Sequence, residues 1–229
     1  MKDFSTIEEA LGITFVNKDL LKQAFIHRSY INEHPNIGLH HNERLEFLGD
    51  AVLELVITHE LYLKYPDTPE GQLTAYRSAL VRTESISDAA RVLNMDDYLL
   101  LSKGEARDTG KARSYILANT FESFTGALYL DQGYDAAKAF IASTLFPRMQ
   151  EVVDKGLWRD AKSYVQEKAQ EVFSITPSYE VLDEEGPDHD KEFTIGIMFG
   201  GKEIATGTGT SKQEAEQNAA QAAIEVHKW

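Results

Sequence analysis

The segment HNERLEFLGDAVLEL, residues 41–55, sets four carboxylates among leucines, a valine and a phenylalanine. On a helix that advances about 100° per residue, Glu43, Glu46, Asp50 and Glu54 fall within roughly 80° of one another. Leu45, Leu48, Val52, Leu55 and Val56 occupy the remaining circumference. A narrow acidic seam on an otherwise apolar helix has two readings. It is a solvated face, or it is a site where carboxylates converge on a hard cation. Solvated faces usually mix signs and are broader, and like charges spaced i,i+4, such as Asp50 and Glu54, oppose helix formation. If partly buried, these carboxylates must be neutralised or take up protons. Mg²⁺, an oxygen-seeking ion, does the former where phosphates are the substrate.

One helix face can hardly surround an ion, so a second acidic helix is required. The stretch ILANTFESFTGALYL, residues 116–130, supplies one. Asn119 and Glu122 share a face one turn apart, while Ile116, Leu117, Phe121, Phe124 and Leu128 are apolar. A core Glu122 paired with a cation such as Arg44 is the bland alternative. The two helices together favour the metal site. Other chemistries are poorly served. There is no cysteine, and no Gly-x-Ser-x-Gly or glycine-rich phosphate loop. The histidines, His27 and the pair His40-His41 among them, have no obvious catalytic partner.

The elements that must position these residues follow from hydrophobic period and breakers. Residues 1–155 read as helical, with apolar residues at helical spacing in DLLKQAFIHRSY, RLEFLGDAVLELVITHELYLKY, LTAYRSALVRTESISDAARVL and ILANTFESFTGALYLD. Breakers stand at Pro35-Asn36 with Gly38, Pro66-Asp67, Gly104 and Gly133. A linker is expected over residues 150–160. Beyond it the pattern changes to a short helix KSYVQEKAQEVF, a strand SYEVLD, and an alternating strand KEFTIGIMFG with Phe193, Ile195, Ile197 and Phe199 on one face. Gly200-Gly201 predicts a hairpin turn, KEIATGTGT a third strand, and Ser211 the cap of a last helix. The predicted fold is therefore mainly α: an all-helical domain over 1–155, then an α-β-β-β-α domain over 156–229.

The bulk numbers bound the class. The chain has 229 residues, 42% of them hydrophobic and 26% charged, as in ordinary soluble globular proteins. Absence of cysteine fits a reducing compartment, and MKDFSTIEEALGITF has no basic-then-apolar leader pattern. No segment is apolar enough to span a membrane. The formal charge of −14 taken alone argues against a nucleic-acid partner.

The residues nevertheless carry a specific resemblance. NERLEFLGDAVLEL at 42–55 is similar to the signature of the ribonuclease III family, as are AFIHRSYINE at 24–33, PEGQLTAYRSALV at 69–81, DYLLLSKGE at 97–105 and ILANTFESFTGALYLDQGY at 116–134. The C-terminal segments DAKSYVQE, GPDHDKEF and GTGTSKQEAEQNAA resemble the double-stranded RNA-binding domain of the same enzymes. The likeness covers essentially the whole chain in the family's domain order, and points to the bacterial-type member: a ribonuclease III nuclease domain followed by a double-stranded RNA-binding domain.

That resemblance implies roles position by position. Glu46, Asp50 and Glu122 fall on metal-binding carboxylates, Asp50 and Glu122 being catalytic. Asn119 falls on a further metal position where most members have aspartate. Glu43 and Glu70 fall on acidic positions lining the same cleft. Phe47 matches an aromatic residue that enters a socket on a partner subunit, although the sequence alone favours core packing for it. The implied enzyme is a cytoplasmic homodimer that uses Mg²⁺, with Mn²⁺ as a substitute. It cuts double-stranded RNA to 5′-phosphate and 3′-hydroxyl ends with short 3′ overhangs, in maturation of ribosomal RNA and other structured precursors. Three RNA contact regions are implied: Gln166 and Glu167; Pro187, Asp188 and His189; and Ser211, Lys212 and Gln213. Residues 156–229 carry 7 Lys+Arg against 14 Asp+Glu, so local placement must supply the attraction. Asn119 alone favours a rival, a non-cleaving duplex-RNA-binding protein on a degenerate nuclease domain. A binding module would have no reason to keep the acidic seam.

Overall fold

The structure is a computed structural model that describes residues 2–154, 158, 160–187 and 191–229. Two compact units emerge, Met1–Trp158 and Arg159–Trp229. The first is built from α1 (Ser5–Leu11), α2 (Lys18–Ala24), α3 (Arg28–Glu33), α4 (Glu43–Lys64), α5 (Glu70–Val81), α6 (Thr83–Val92), α7 (Lys111–Gln132) and α8 (Tyr134–Asp154), with 3₁₀ turns at Met95–Tyr98 and Glu105–Arg107. No described helix is long and apolar enough to cross a membrane.

α7 is the centre of this unit. Ile116, Leu117, Ala118, Phe121, Phe124, Ala127 and Leu128 are all buried, together with Thr120, Ser123 and Thr125. The three hydroxyls are satisfied within the helix by bonds to carbonyls one turn back, on Ile116, Asn119 and Phe121. This is how a helix takes polar residues into a core without leaving donors unpaired. Phe124 meets the rings of Phe15, Phe25 and Phe140.

α4 crosses α7 at closest approach, through glycine on each side. A Cβ placed on Gly49 would collide with the Glu122 carbonyl, and one on Gly126 with the Leu45 carbonyl. The two backbones therefore touch directly. At the start of α4, buried Asn42 donates its side-chain amide to the Ala24 carbonyl (3.1 Å), and its N–H to the Ile26 carbonyl (2.9 Å).

Two long predicted helical runs are broken. DLLKQAFIHRSY divides into α2 and α3 because the segment Phe25–His27 leaves the helix, with His27 extended. Its backbone bonds with Leu100 in an isolated parallel bridge. LTAYRSALVRTESISDAARVL divides at Arg82, whose ψ of 150° is incompatible with a helix. Of the linker expected over 150–160, residues 150–154 belong to α8 and Trp158 packs edge-on to Tyr76 at 4.9 Å, while 155–157 and 159 lie outside the described residues.

The second unit has α9 (Ala161–Phe173), β1 (Ser178–Glu185), β2 (Glu192–Phe199), β3 (Lys202–Gly209) and α10 (Lys212–His227). The strands form an antiparallel sheet in the order β1-β2-β3. Gly200 (φ 59°) and Gly201 (φ 83°) make the two-residue turn between β2 and β3 with the positive φ such turns require. The alternation expected on β2 is incomplete, because Ile195 through Phe199 are all buried. Leu182, left unpaired by a bulge in β1, reaches over Gly196 beside the Met198 side chain and covers the outer face. On the inner face Ile197 and Phe199 pack with Ala161, Val165 and Ala169 of α9 and Ala219, Ala220 and Ala223 of α10.

The α4–α7 crossing yields an expectation opposite in sign to helix propensity. Alanine in a helix interior is favoured over glycine by about 1 kcal/mol, whereas overpacking costs roughly 1–3 kcal/mol or more. Gly49→Ala and Gly126→Ala should each lower the melting temperature. Gly71→Ala in α5, whose Cβ would meet nothing within 4 Å, should leave it unchanged or raise it. Thermal unfolding of the three variants checks this.

Candidate metal site and RNA-binding surfaces

The crossing brings the α4 seam against α7. Glu46 and Glu122 are half-buried, while Asp50 and Glu54 are exposed. Glu122 has no ion pair among the described residues, so the pairing with Arg44 does not form. The groups acting on it are carboxylates. Burial first, then Asp50 and Glu46, push its carboxyl up to about 8. Glu46 is raised by burial, by Glu43 and by Asp50, and held back only by a hydrogen bond from the Asn119 side chain. The structure thus brings Glu46, Asp50, Asn119 and Glu122 into one neighbourhood spanning two helices, with no cation among the described residues compensating Glu122.

Among the described residues, no group of three or more His, Asp or Glu side chains is drawn together tightly enough to hold an ion as it stands. The donor set nevertheless suits a hard divalent cation: three carboxylates and an amide oxygen, with no sulfur or imidazole. The raised carboxyls are a further fit. They mark a place that lacks positive charge, which an ion would supply.

Glu43 acts on Glu46 from the first turn of α4. Its carboxylate lies 3.6 Å from Arg28 Nη1 and 3.7 Å from His41 Nδ1, both looser than a good ion pair. Glu70 is not brought to the cluster by any contact among the described residues. It begins α5 and accepts a hydrogen bond from Thr74 Oγ1 at 3.0 Å. Glu54 likewise points to solvent.

Phe47 is 82% exposed, so core packing is excluded for it. It heads an exposed apolar stripe on α4 with Leu55 and Tyr62, 57% and 70% exposed. At about 100° per residue these three fall within roughly 80° of one another, directly beside the acidic seam. Sequence reasoning placed Leu55 on the apolar circumference. Only the packing of α4 reveals that this part of the helix stays exposed among the described residues.

In the second unit, Gln166 and Glu167 are exposed on α9 and line a shallow groove with Ser163, Gln170 and Glu171. Ser211 caps α10, its Oγ accepting from Glu214 N–H at 3.2 Å. Lys212 and Gln213 begin the helix and are exposed. Pro187 is described and exposed, while Asp188 and His189 lie outside the described residues. Sequence reasoning missed Glu184, whose carboxylate faces Lys212 Nζ at 3.2 Å across the domain. No local pattern signals a contact between residues so far apart in the chain.

Comparison with known proteins agrees with this architecture. The Ribonuclease-III-like family matches residues 17–149, and the double-stranded RNA binding motif matches residues 161–227. Ribonuclease 3 of Geobacillus thermodenitrificans is 46% identical over 226 residues, 97% of this chain and 90% of the relative. Ribonuclease 3 of Enterococcus faecalis is 45% identical over 221 residues, 95% of this chain and 94% of the relative. Among solved structures, a nuclease domain of ribonuclease III from Campylobacter jejuni is 36% identical with a TM-score of 0.57, covering 63% of this chain and 99% of that one; its description concerns a region involved in dimer formation. With a helical unit that crosses two acidic helices at glycine, followed by a double-stranded RNA-binding fold, this chain belongs to the ribonuclease III family.

Proposed function

We propose that Glu46, Asp50, Asn119 and Glu122 hold Mg²⁺ and that this site performs the hydrolysis of double-stranded RNA. The protein is a ribonuclease III, an endoribonuclease acting on duplex RNA. The observation that carries the site assignment is Glu122, half-buried among carboxylates with no ion pair among the described residues. Such a group is costly in an inert core and useful where a cation must be held.

A phosphodiester approaching this seam would be repelled by ionised carboxylates. Mg²⁺ held by Glu46, Asp50, Asn119 and Glu122 would reverse the local sign and lower the pKa of a water, so that hydroxide is available as the nucleophile at phosphorus. The protein's own part is positional. Asp50 and Glu122 approach from opposite helices, and Glu46 is oriented by the Asn119 amide. The glycine contact fixes the separation of the two helices. Glu43 and Glu70 are further cleft carboxylates in this reading, with Glu43 tethered between Arg28 and His41. Mn²⁺ would serve in place of Mg²⁺, since the donors are hard oxygens.

A homodimer formed through the Phe47 stripe would cover the exposed apolar face of α4 beside the seam, putting the two sites near one interface. Opposed sites of this kind account for 5′-phosphate and 3′-hydroxyl ends with short 3′ overhangs. The RNA itself is held by the C-terminal unit, through Gln166 and Glu167 of α9, the loop carrying Pro187, Asp188 and His189, and Ser211, Lys212 and Gln213. There the helix N-terminus of α10 presents N–H groups to phosphate, and duplex RNA is read by its shape and 2′-hydroxyls. A role in maturing ribosomal RNA and other structured precursors in the cytoplasm follows as the family's ordinary employment.

Glu122→Gln tests the site on two independent readouts. It should reduce cleavage of labelled duplex RNA by more than about a hundredfold, beyond the 10–100-fold typical of losing an outer-shell partner, with duplex binding retained. It should also change stability in chelator. Glu122 is raised from 4.5 to about 8, so the folded state binds its proton more tightly than the unfolded chain. Metal-free protein is therefore fully stabilised below about 4.5, and loses that stability as pH rises through about 8. The melting temperature in chelator should fall over this range, and Glu122→Gln should flatten the fall. Near-normal turnover by the variant would refute the assignment.

Asn119→Asp exchanges a hydrogen-bond donor to Glu46 for another negative charge. Half-maximal cleavage should need less Mg²⁺, and the melting temperature in chelator should drop. Identical metal dependence in both proteins would remove Asn119 from the site. Cleavage by the variant alone, at every Mg²⁺ and Mn²⁺ concentration, would instead favour the non-cleaving duplex binder. Phe47→Ala should shift the sedimenting species from dimer towards monomer; a monomeric wild-type protein would overturn the role given to the stripe.

A further inference from the structure

The α10 start is presented to RNA with its lysine already engaged. Lys212 Nζ lies 3.2 Å from Glu184 Oε1, and the other oxygen of the same carboxylate faces Lys191 Nζ at 3.4 Å. Lys212 also sits over the Phe193 ring, 5.5 Å from its centroid. Glu184 and Phe193 are paired neighbours across β1 and β2, so the sheet holds the carboxylate and the ring where Lys212 meets both. In Ser211-Lys212-Gln213 this lysine is the one cation. A carboxylate carries the same sign as an RNA phosphate and accepts the same hydrogen bonds, so the two compete for one ammonium.

The pattern extends over the unit. Lys162 faces Glu216, Lys168 faces Glu171, and Lys191 and Lys212 share Glu184. In a domain with twice as many acidic as basic residues, these four lysines are engaged internally before any RNA arrives. Glu184 differs from the other two carboxylates in holding a lysine of the proposed RNA surface. Lys212, then Lys191, keep its carboxyl below the usual range, so it stays ionised at neutral pH.

We infer that Glu184 is an internal competitor for Lys212, a residue that sets duplex-RNA affinity and its salt dependence by occupying the phosphate-binding lysine in the free protein. This rests on the reading that Lys212 contacts RNA. Binding then exchanges one anion for another at the ammonium and returns Glu184 to solvent. The net attraction gained at this contact is smaller than a solvated lysine would give. The gain in slope of affinity against salt, close to 0.9 per neutralised phosphate on a duplex, is correspondingly blunted. An exposed pair of this kind is worth at most about a fivefold effect.

The test uses the full chain, a fluorescent RNA duplex, and chelator to prevent cleavage, with binding measured across a series of salt concentrations. Glu184→Gln should bind two- to fivefold tighter than wild type at about 0.1 M salt. Its salt dependence should be steeper, so that the advantage closes as salt rises. Glu184→Asp, too short to span both lysines, should fall between. Glu180→Gln removes the same charge from β1 at a residue with no lysine partner among the described contacts, and should match wild type. Lys212→Ala should weaken binding, and the Glu184→Gln change should then add nothing in that background. If Glu184→Gln binds no tighter, or if Glu180→Gln gains as much, or if the gain persists without Lys212, the competitor role is overturned. If Lys212→Ala leaves binding unchanged, the reading of the α10 start as an RNA contact fails first, and that result is distinct from the others.

Discussion

The approach of α4 to α7 is the constraint on which the catalytic unit depends. Side chains of ordinary size would hold the two helices at about 8–10 Å. Gly49 and Gly126 remove that spacing, so that carbonyls of one helix lie where the Cβ atoms of the other would be. Two consequences follow from one contact. The core of α7 can be large and aromatic on its remaining faces, because the α4 side takes up little volume. Glu46 and Asp50 of α4 and Asn119 and Glu122 of α7 become neighbours, because they flank the crossing.

The electrostatics of the site is the opposite of a structural ion pair. Salt bridges elsewhere in the unit, such as Lys138 to Glu60 at 2.7 Å, compensate charge with charge. Glu122 is given carboxylates for company, and its raised proton affinity measures the deficit. A folded chain tolerates this only because the tight helix crossing and the aromatic cluster around Phe124 over-determine the geometry. The strain is local and the support is distributed, the usual relation between a functional site and its scaffold.

The C-terminal unit meets the same problem from the other side. It must attract a polyanion while carrying an acidic sequence, and Lys162, Lys168, Lys191 and Lys212 are paired with its own carboxylates. Attraction therefore depends on which pairs RNA can replace. Lys162 is tied to Glu216 across the α9–α10 packing, and the neighbouring Asp160–Gln217 contact reinforces that joint. Lys212 is held only at an exposed strand end, where phosphate can reach it.

Much was legible in the sequence, for identifiable reasons. Helical period, the Gly200-Gly201 turn and the Ser211 cap are local signals whose physics operates over a few residues, so the mainly helical unit and the α-β-β-β-α unit could be read directly. The lone carboxylates in apolar helices were visible for the same reason, since a helix face is a property of spacing. What the sequence could not decide was every contact between distant segments. Helical period ran straight through Phe25–His27 and Arg82, because the Leu100 bridge and the turn of the chain that break those helices are non-local. It put Leu55 on the apolar circumference and left Phe47 open to core packing, since exposure depends on which neighbour covers a stripe, and none of the described residues covers this one. It placed Glu70 in the same cleft as Glu122, yet tertiary packing sets Glu122 among carboxylates and Glu70 beside Thr74. The residue types and their faces were determined by the sequence. Which faces meet, and which charges are left without a partner, was decided only by the folded chain, because burial and Coulomb interaction depend on distances in space.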